Sequence, residues 1–209
     1  TEARDHGKQQ VKICSFAQFQ QSIVDVTAYL ALRDRHFFGS VLDPETRSLT
    51  PQVGYIDLDL TDVVSGAVVS REQILNSVSR GDSYVILGDF GAGKSMTLRQ
   101  LYFELSGRYR KGGTPLFPIY INLREHSGQD DPSELLERHA RRIGFDKPHT
   151  LVSAWRAGFA IFLLDGFDEI TTLGVTGFRT KLRETRRRSL EAVRRLVEQT
   201  PRSVGVIVA

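Results

Sequence analysis

One cysteine, one methionine and one tryptophan are all that the 209 residues contain of those three types. With Cys14 alone, no internal disulfide can form and no cysteine-built metal site is available, so a small buried apolar role is expected for it. Nor is there a long hydrophobic run. The best candidate, Phe159 to Leu164, falls far short of the roughly 18 apolar residues that a spanning helix requires. Charge of one sign is also missing: 28 basic residues stand against 25 acidic ones, for a net charge of +3, which is ordinary for a protein that does not live on nucleic acid. The N-terminal Thr-Glu-Ala-Arg-Asp-His-Gly-Lys-Gln-Gln lacks the apolar stretch of a secretory signal, and without an initiator Met it reads as trimmed. Cytoplasm is the expected compartment. His126, His139 and His149 show no metal-ligand spacing such as H-E-x-x-H and are expected at the surface or in packing roles.

What is present is enough apolar residue, 40%, to build a core, arranged in two manners. From about Tyr84 onward, short apolar runs alternate with helical periodicity, the pattern of a parallel sheet with crossover helices. Strands are predicted at Tyr84 to Leu87, Pro118 to Leu123, Phe159 to Leu164 and Val204 to Val208, each continuous in apolar residues as strands buried on both faces are. Between them, Leu98, Leu101, Tyr102 and Leu105 mark a helix with Gly107 as its expected stop. Asp131-Pro132-Ser133-Glu134 opens another, with a cap, a proline at the first position and an acid in the first turn; Leu136, Ala140 and Ile143 form its apolar face before Gly144. A short helix from Thr150 through Trp155, with Trp155 in the core, and a long one from Phe178 to Glu198 complete the series.

The first part of the chain is less regular. Phe16 to Leu32 reads as helical, and His36 to Thr61 mixes turns with one strand at Tyr55 to Leu60. Ser70-Arg71-Glu72-Gln73 is a capping box, placing a helix with Ile74, Leu75 and Val78 inward before the first sheet strand.

Gly88-Asp89-Phe90-Gly91-Ala92-Gly93-Lys94-Ser95 fits G-x-x-x-x-G-K-[ST]. Glycines let the backbone curl until successive N–H groups face one phosphate. The lysine ammonium of Lys94 would sit between β- and γ-phosphates, the Ser95 hydroxyl would ligate Mg²⁺, and the following helix would direct its positive end at the anion. The four fixed positions arise by accident in about one chain in a hundred of this length. Their placement between an apolar strand and an amphipathic helix is what the chemistry demands. Gly88 through Ser95 and the next residue, Met96, are therefore the expected nucleotide contacts.

A second motif ends an apolar strand in carboxylates: Leu163-Leu164-Asp165-Gly166-Phe167-Asp168-Glu169. Ligands of open α/β sheets gather at this end of the strands. Asp165, read as the first residue past the strand, is the candidate Mg²⁺ ligand beside Ser95, because Mg²⁺ takes few protein carboxylates and keeps several waters. Asp168 and Glu169 are the candidate catalytic acids with Lys94, and either could accept a proton from, or orient, an attacking water.

Together Gly-Asp-Phe-Gly-Ala-Gly-Lys-Ser and Leu-Leu-Asp-Gly-Phe-Asp-Glu resemble the NACHT family of STAND signal-transduction ATPases, Gly166 and the acids after it being the distinguishing part. Pro118-Ile119-Tyr120-Ile121-Asn122-Leu123-Arg124 resembles the family's second strand. The likeness spans about Val69 to Ala209. It implies an α/β fold, a three-layer P-loop NTPase core over 69–209, preceded by a mixed N-terminal region over 1–68. It further implies ATP or ADP with Mg²⁺ as cofactors, slow or absent hydrolysis, and a switch that self-associates in the intact protein. Effector and sensor domains are the implied partners, in innate immunity, including antiphage defence. In the family a polar sensor residue, a winged-helix lid and a repeat domain would follow Ala209. The segment from about Tyr55 to Val78 is expected beside the base.

ATP is favoured over GTP because Thr180-Lys181-Leu182-Arg183 lacks the acid of a guanine-reading segment. Arg183, Arg186, Arg187, Arg188, Arg194 and Arg195 make the last helix basic; this helix or the N-terminal region offers the competing reading of a protein- or nucleic-acid-binding scaffold. Glu184, Glu191 and Glu198 among them favour a solvated face.

Overall fold

The computed structural model describes residues 26–36, 55–126, 131–167 and 179–209. Helix α1 (Thr27–Arg33) comes first, then a small antiparallel ribbon of β1 (Leu60–Thr61) and β2 (Val68–Val69). Helix α2 (Arg71–Val78), strand β3 (Tyr84–Val85), helix α3 (Lys94–Arg110) and strand β4 (Phe117–Asn122) follow. The remainder is α4 (Pro132–Arg142), α5 (Pro148–Arg156), β5 (Ala160–Asp165), α6 (Arg179–Gln199) and β6 (Val206–Val208).

Among the described residues, four strands form one parallel sheet in the order β3-β6-β5-β4. The expected α/β architecture is the one found, with helices flanking the sheet. All six residues of β5 are buried, so the sheet centre is covered on both faces, the reason its run carries no polar alternation. No described helix is long and apolar enough to cross a membrane.

Local chemistry accounts for the helix starts. Ser70 Oγ accepts from Gln73 N at 3.2 Å while Gln73 Oε1 accepts from Ser70 N at 2.7 Å, the reciprocal pair foreseen for α2. Asp131 Oδ1 accepts from the amides of Ser133 and Glu134 at 2.7 and 3.0 Å, ahead of Pro132 at the start of α4. Leu136, Ala140 and Ile143 are buried as expected, and Trp155 is a core residue whose Nε1 donates to Thr200 Oγ1 at 2.9 Å.

Four expectations need correction. The strand foreseen from Tyr84 to Leu87 as buried on both faces is only Tyr84–Val85, and Val85 and Leu87 are exposed. Gly107 does not stop α3, which runs on to Arg110 and ends where Gly112 adopts φ 71°. A mid-helix glycine costs about 1 kcal/mol, and the extra turn offsets this by burying Tyr109 edge-on against Phe117 at 5.9 Å. No strand spans Tyr55 to Leu60; only Leu60 and Thr61 find a ladder partner, opposite Val69 and Val68. Finally, Asp165 is the last residue of β5, in register with Asn122, and not the first beyond it.

Helix α1 sits in the same core as the sheet: Val26, Tyr29 and Leu30 are fully buried. Tyr29 packs edge-on against Phe117 and Phe145 at 6.3 and 5.8 Å. Among the described residues strand β4 ends the sheet, and the Nε of Arg33 donates to the Tyr120 carbonyl at 3.4 Å, so α1 helps to satisfy that edge. The rest of the predicted Phe16 to Leu32 helix, and Cys14, lie outside the described residues.

Candidate functional site

The loop from Gly88 to Gly93 leaves β3 just after Ile86 N donates to Val208 O at 2.8 Å, and enters α3 through Gly93. Gly93 has φ 88°, and a Cβ there would lie 2.9 Å from Leu58 Cδ1. Gly88 has no left-handed φ, but a Cβ there would lie 3.1 Å from Ala92 Cβ, a tight contact where the loop folds back. Gly93 is thus required by the turn, while Gly88 marks a close approach within it. No side chain caps α3, so the amides of its first turn face outward at the positive end of a 17-residue helix. Asp89, Phe90, Gly91 and Ala92 are exposed around this opening, Phe90 at 95%, while Met96 is half-buried behind it.

Lys94 lies across the mouth of the loop. Its Nζ donates to the carbonyls of Gly88 and Asp89 at 2.7 and 3.3 Å. Ser95, one residue on, points the other way: its Oγ donates to Asp165 Oδ1 at 2.9 Å, across 70 positions of sequence. The two motifs therefore meet in space. Strand β6 intervenes between β3 and β5, and the helix start bridges over it to reach the end of β5.

Asp165 is only 3% exposed, and its second oxygen, Oδ2, accepts from the Tyr120 hydroxyl. A buried carboxylate and an adjacent hydroxyl are hard oxygen donors of the kind Mg²⁺ takes, and the pair 2.9 Å apart fits such an ion. Beyond Asp165 the chain turns through Gly166 at φ 76°. Asp168 and Glu169 lie outside the described residues.

Sequence reasoning missed the neighbours of Asp165. Tyr120 is buried in β4, with the Arg33 guanidinium 4.5 Å from its ring centroid. Its polar tip in an otherwise apolar run was the available signal. Leu58, from the irregular segment after Tyr55, touches the loop at Gly93. Behind Tyr120, a cavity of about 390 Å³ is bordered by Arg33, His36, Asn122, Glu125, His139 and Arg142.

Of His126, His139 and His149, two are packing residues in this region. His139 is held neutral well below the usual histidine range by burial and by Arg33, and its Nε2 is 3.1 Å from Tyr29 Oη. Burial, then the nearby Arg142 and Arg138, lowers His126 to about 4. His149 is exposed and lies 3.0 Å from Glu137.

On α6, Arg194 pairs with Glu198 at 2.9 Å and Arg195 with Glu191 at 3.0 Å, and Arg187 is exposed. That is a solvated, charge-laced face. The side chains of Arg183, Arg186 and Arg188 are outside the described set, as are those of Thr180 to Leu182.

A family model described as the NACHT domain matches residues 82–208. No curated protein and no solved structure matches the chain. The match begins just before β3, takes in the phosphate loop and the Asp165 strand, and ends in β6. Covering more than half of the 209 residues and the whole of the paired loop and strand end, it shows that this chain belongs to the NACHT family, the nucleoside triphosphatase module of STAND-class P-loop proteins.

Proposed function

We propose that the chain binds ATP and ADP together with Mg²⁺ and serves as the nucleotide-operated switch of a signalling ATPase. The observation that carries this reading is the hydrogen bond from Ser95 to Asp165, which joins the start of α3 to the end of β5 at one point. Chance has no reason to bring a G-K-S turn against a buried strand-end carboxylate, whereas phosphate and metal binding require both there.

In this reading the amides of Gly88 to Ser95 and the first turn of α3, with Met96, cradle the phosphates. Lys94 exchanges the carbonyls of Gly88 and Asp89 for phosphate oxygens, and its ammonium offsets their charge. Mg²⁺, when bound, neutralises charge on the β- and γ-phosphates. Ser95 and Asp165 are the residues that would hold it. Either Asp168 or Glu169 orients water for slow hydrolysis to ADP and phosphate. Leu58, already against Gly93, lines the approach to the loop from the Tyr55 side.

The biological role we infer is regulated self-association of the intact protein, coupled to its effector and sensor domains, in the cytoplasm, in innate immunity or antiphage defence. Calorimetry of the purified chain with ADP or ATP and Mg²⁺ tests the binding step. Lys94→Ala should weaken affinity about 10- to 100-fold, the loss of charge-assisted hydrogen bonds. Unchanged affinity, or no heat from folded wild-type protein, overturns the reading.

A further inference from the structure

Asp165 accepts hydrogen bonds at both oxygens, and of the donors among the described residues Ser95 belongs to a nucleotide motif while Tyr120 does not. Ser95 donates to Oδ1 at 2.9 Å; the Tyr120 hydroxyl donates to Oδ2. Tyr120 is fully buried and is fixed from two directions. Its ring lies 4.5 Å beneath the Arg33 guanidinium, and its own carbonyl accepts from Arg33 Nε at 3.4 Å. Arg33 is itself only 3% exposed on α1, anchored by the fully buried Val26, Tyr29 and Leu30. The hydroxyl is therefore presented to Asp165 by a buried ring held beneath the Arg33 guanidinium.

We propose that Tyr120 is a positioning residue for the divalent cation: its hydroxyl holds the Asp165 carboxylate in the plane that offers Oδ1 toward Ser95. The proposal rests on the Mg²⁺-nucleotide reading above. A carboxylate with a single donor retains rotation about its last torsion, whereas a second donor on the other oxygen fixes the plane. Outer partners of metal-binding groups contribute in this way without touching the ion. Because Arg33 lies outside the segment matched by the family model, the holding apparatus reaches the carboxylate from the N-terminal helix.

The alternative is that Tyr120 only fills space. The two differ in what magnesium does. Tyr120→Phe keeps the ring and removes the hydroxyl; Tyr120→Met fills the same slot with an adaptable apolar chain. ADP binding to the whole chain would be followed by calorimetry across a Mg²⁺ series and again in EDTA, with folding checked by circular dichroism. Both variants should need about ten-fold more Mg²⁺ for half of the magnesium-dependent gain in ADP affinity. Their ADP affinity in EDTA should match the wild type. A Mg²⁺ dependence equal to wild type in the folded variants overturns the proposal, as does an equal loss with and without magnesium. Wild-type protein that binds ADP but gains nothing from Mg²⁺ also overturns it while leaving nucleotide binding intact. Wild-type protein that binds no ADP sinks the underlying reading first.

Discussion

His126 should make the fold acid-sensitive in a defined way. It is 3% exposed, and neither ring nitrogen has a hydrogen-bond partner among the described residues. Burial and the adjacent Arg142 and Arg138 bring it from 6.5 down to about 4. The native state thus refuses a proton that the unfolded chain accepts, so stability is full above pH 6.5 and is lost as pH falls from there toward about 4. Each unit inside that window removes up to about 1.4 kcal/mol per histidine, so going from pH 7 to pH 5 costs about 2 kcal/mol through His126. For a chain of this size that is a melting temperature lower by about 4–8 °C. His139, buried and shifted in the same direction, adds a loss of the same sign. His126→Leu removes the titration. It also removes two unpaired buried nitrogens, whose desolvation costs about 1–3 kcal/mol, so stability at pH 7 should stay within about 1 kcal/mol of wild type or rise. Thermal melts of both proteins at pH 7, 6 and 5 measure this. If the variant's melting temperature falls as steeply as wild type's, the account of His126 is wrong.

The remaining predictions concern the loop and one cap. Gly93→Ala places a side chain at φ 88° and 2.9 Å from Leu58 Cδ1, so it should cost about 1–3 kcal/mol in denaturant melts and weaken ADP binding in the same calorimetric assay. Full retention of both would show that the turn is not so constrained. Asp131→Ala removes the acceptor for the amides of Ser133 and Glu134 and should cost about 1 kcal/mol in urea unfolding, leaving ADP affinity unchanged. An unchanged urea midpoint would mean the cap contributes nothing.

The parts of the molecule legible in its residues were those whose physics is local. A strand buried on both faces must be continuously apolar, which is why the runs at Pro118 to Leu123 and Phe159 to Leu164 sit within a residue of β4 and β5. Ser70 with Gln73, and Asp131 with the two amides that follow, satisfy orphan helix donors within four residues, so those starts were readable too. Where neighbours distant in sequence compete with a local preference, reading failed. Gly107 lost to the burial of Tyr109, and the alternating segment from Tyr55 found a ladder partner only at its last residue and Thr61.

By itself, the chain's residue order determined that a phosphate loop precedes a helix and that a carboxylate closes a buried strand, because glycine conformations and apolar continuity act over a few bonds. Tertiary structure alone decided that Ser95 and Asp165 would share a hydrogen bond across β6, and that Tyr120 and Arg33 would stand behind them. Strand order and helix docking set those distances, and they follow from how the whole core packs.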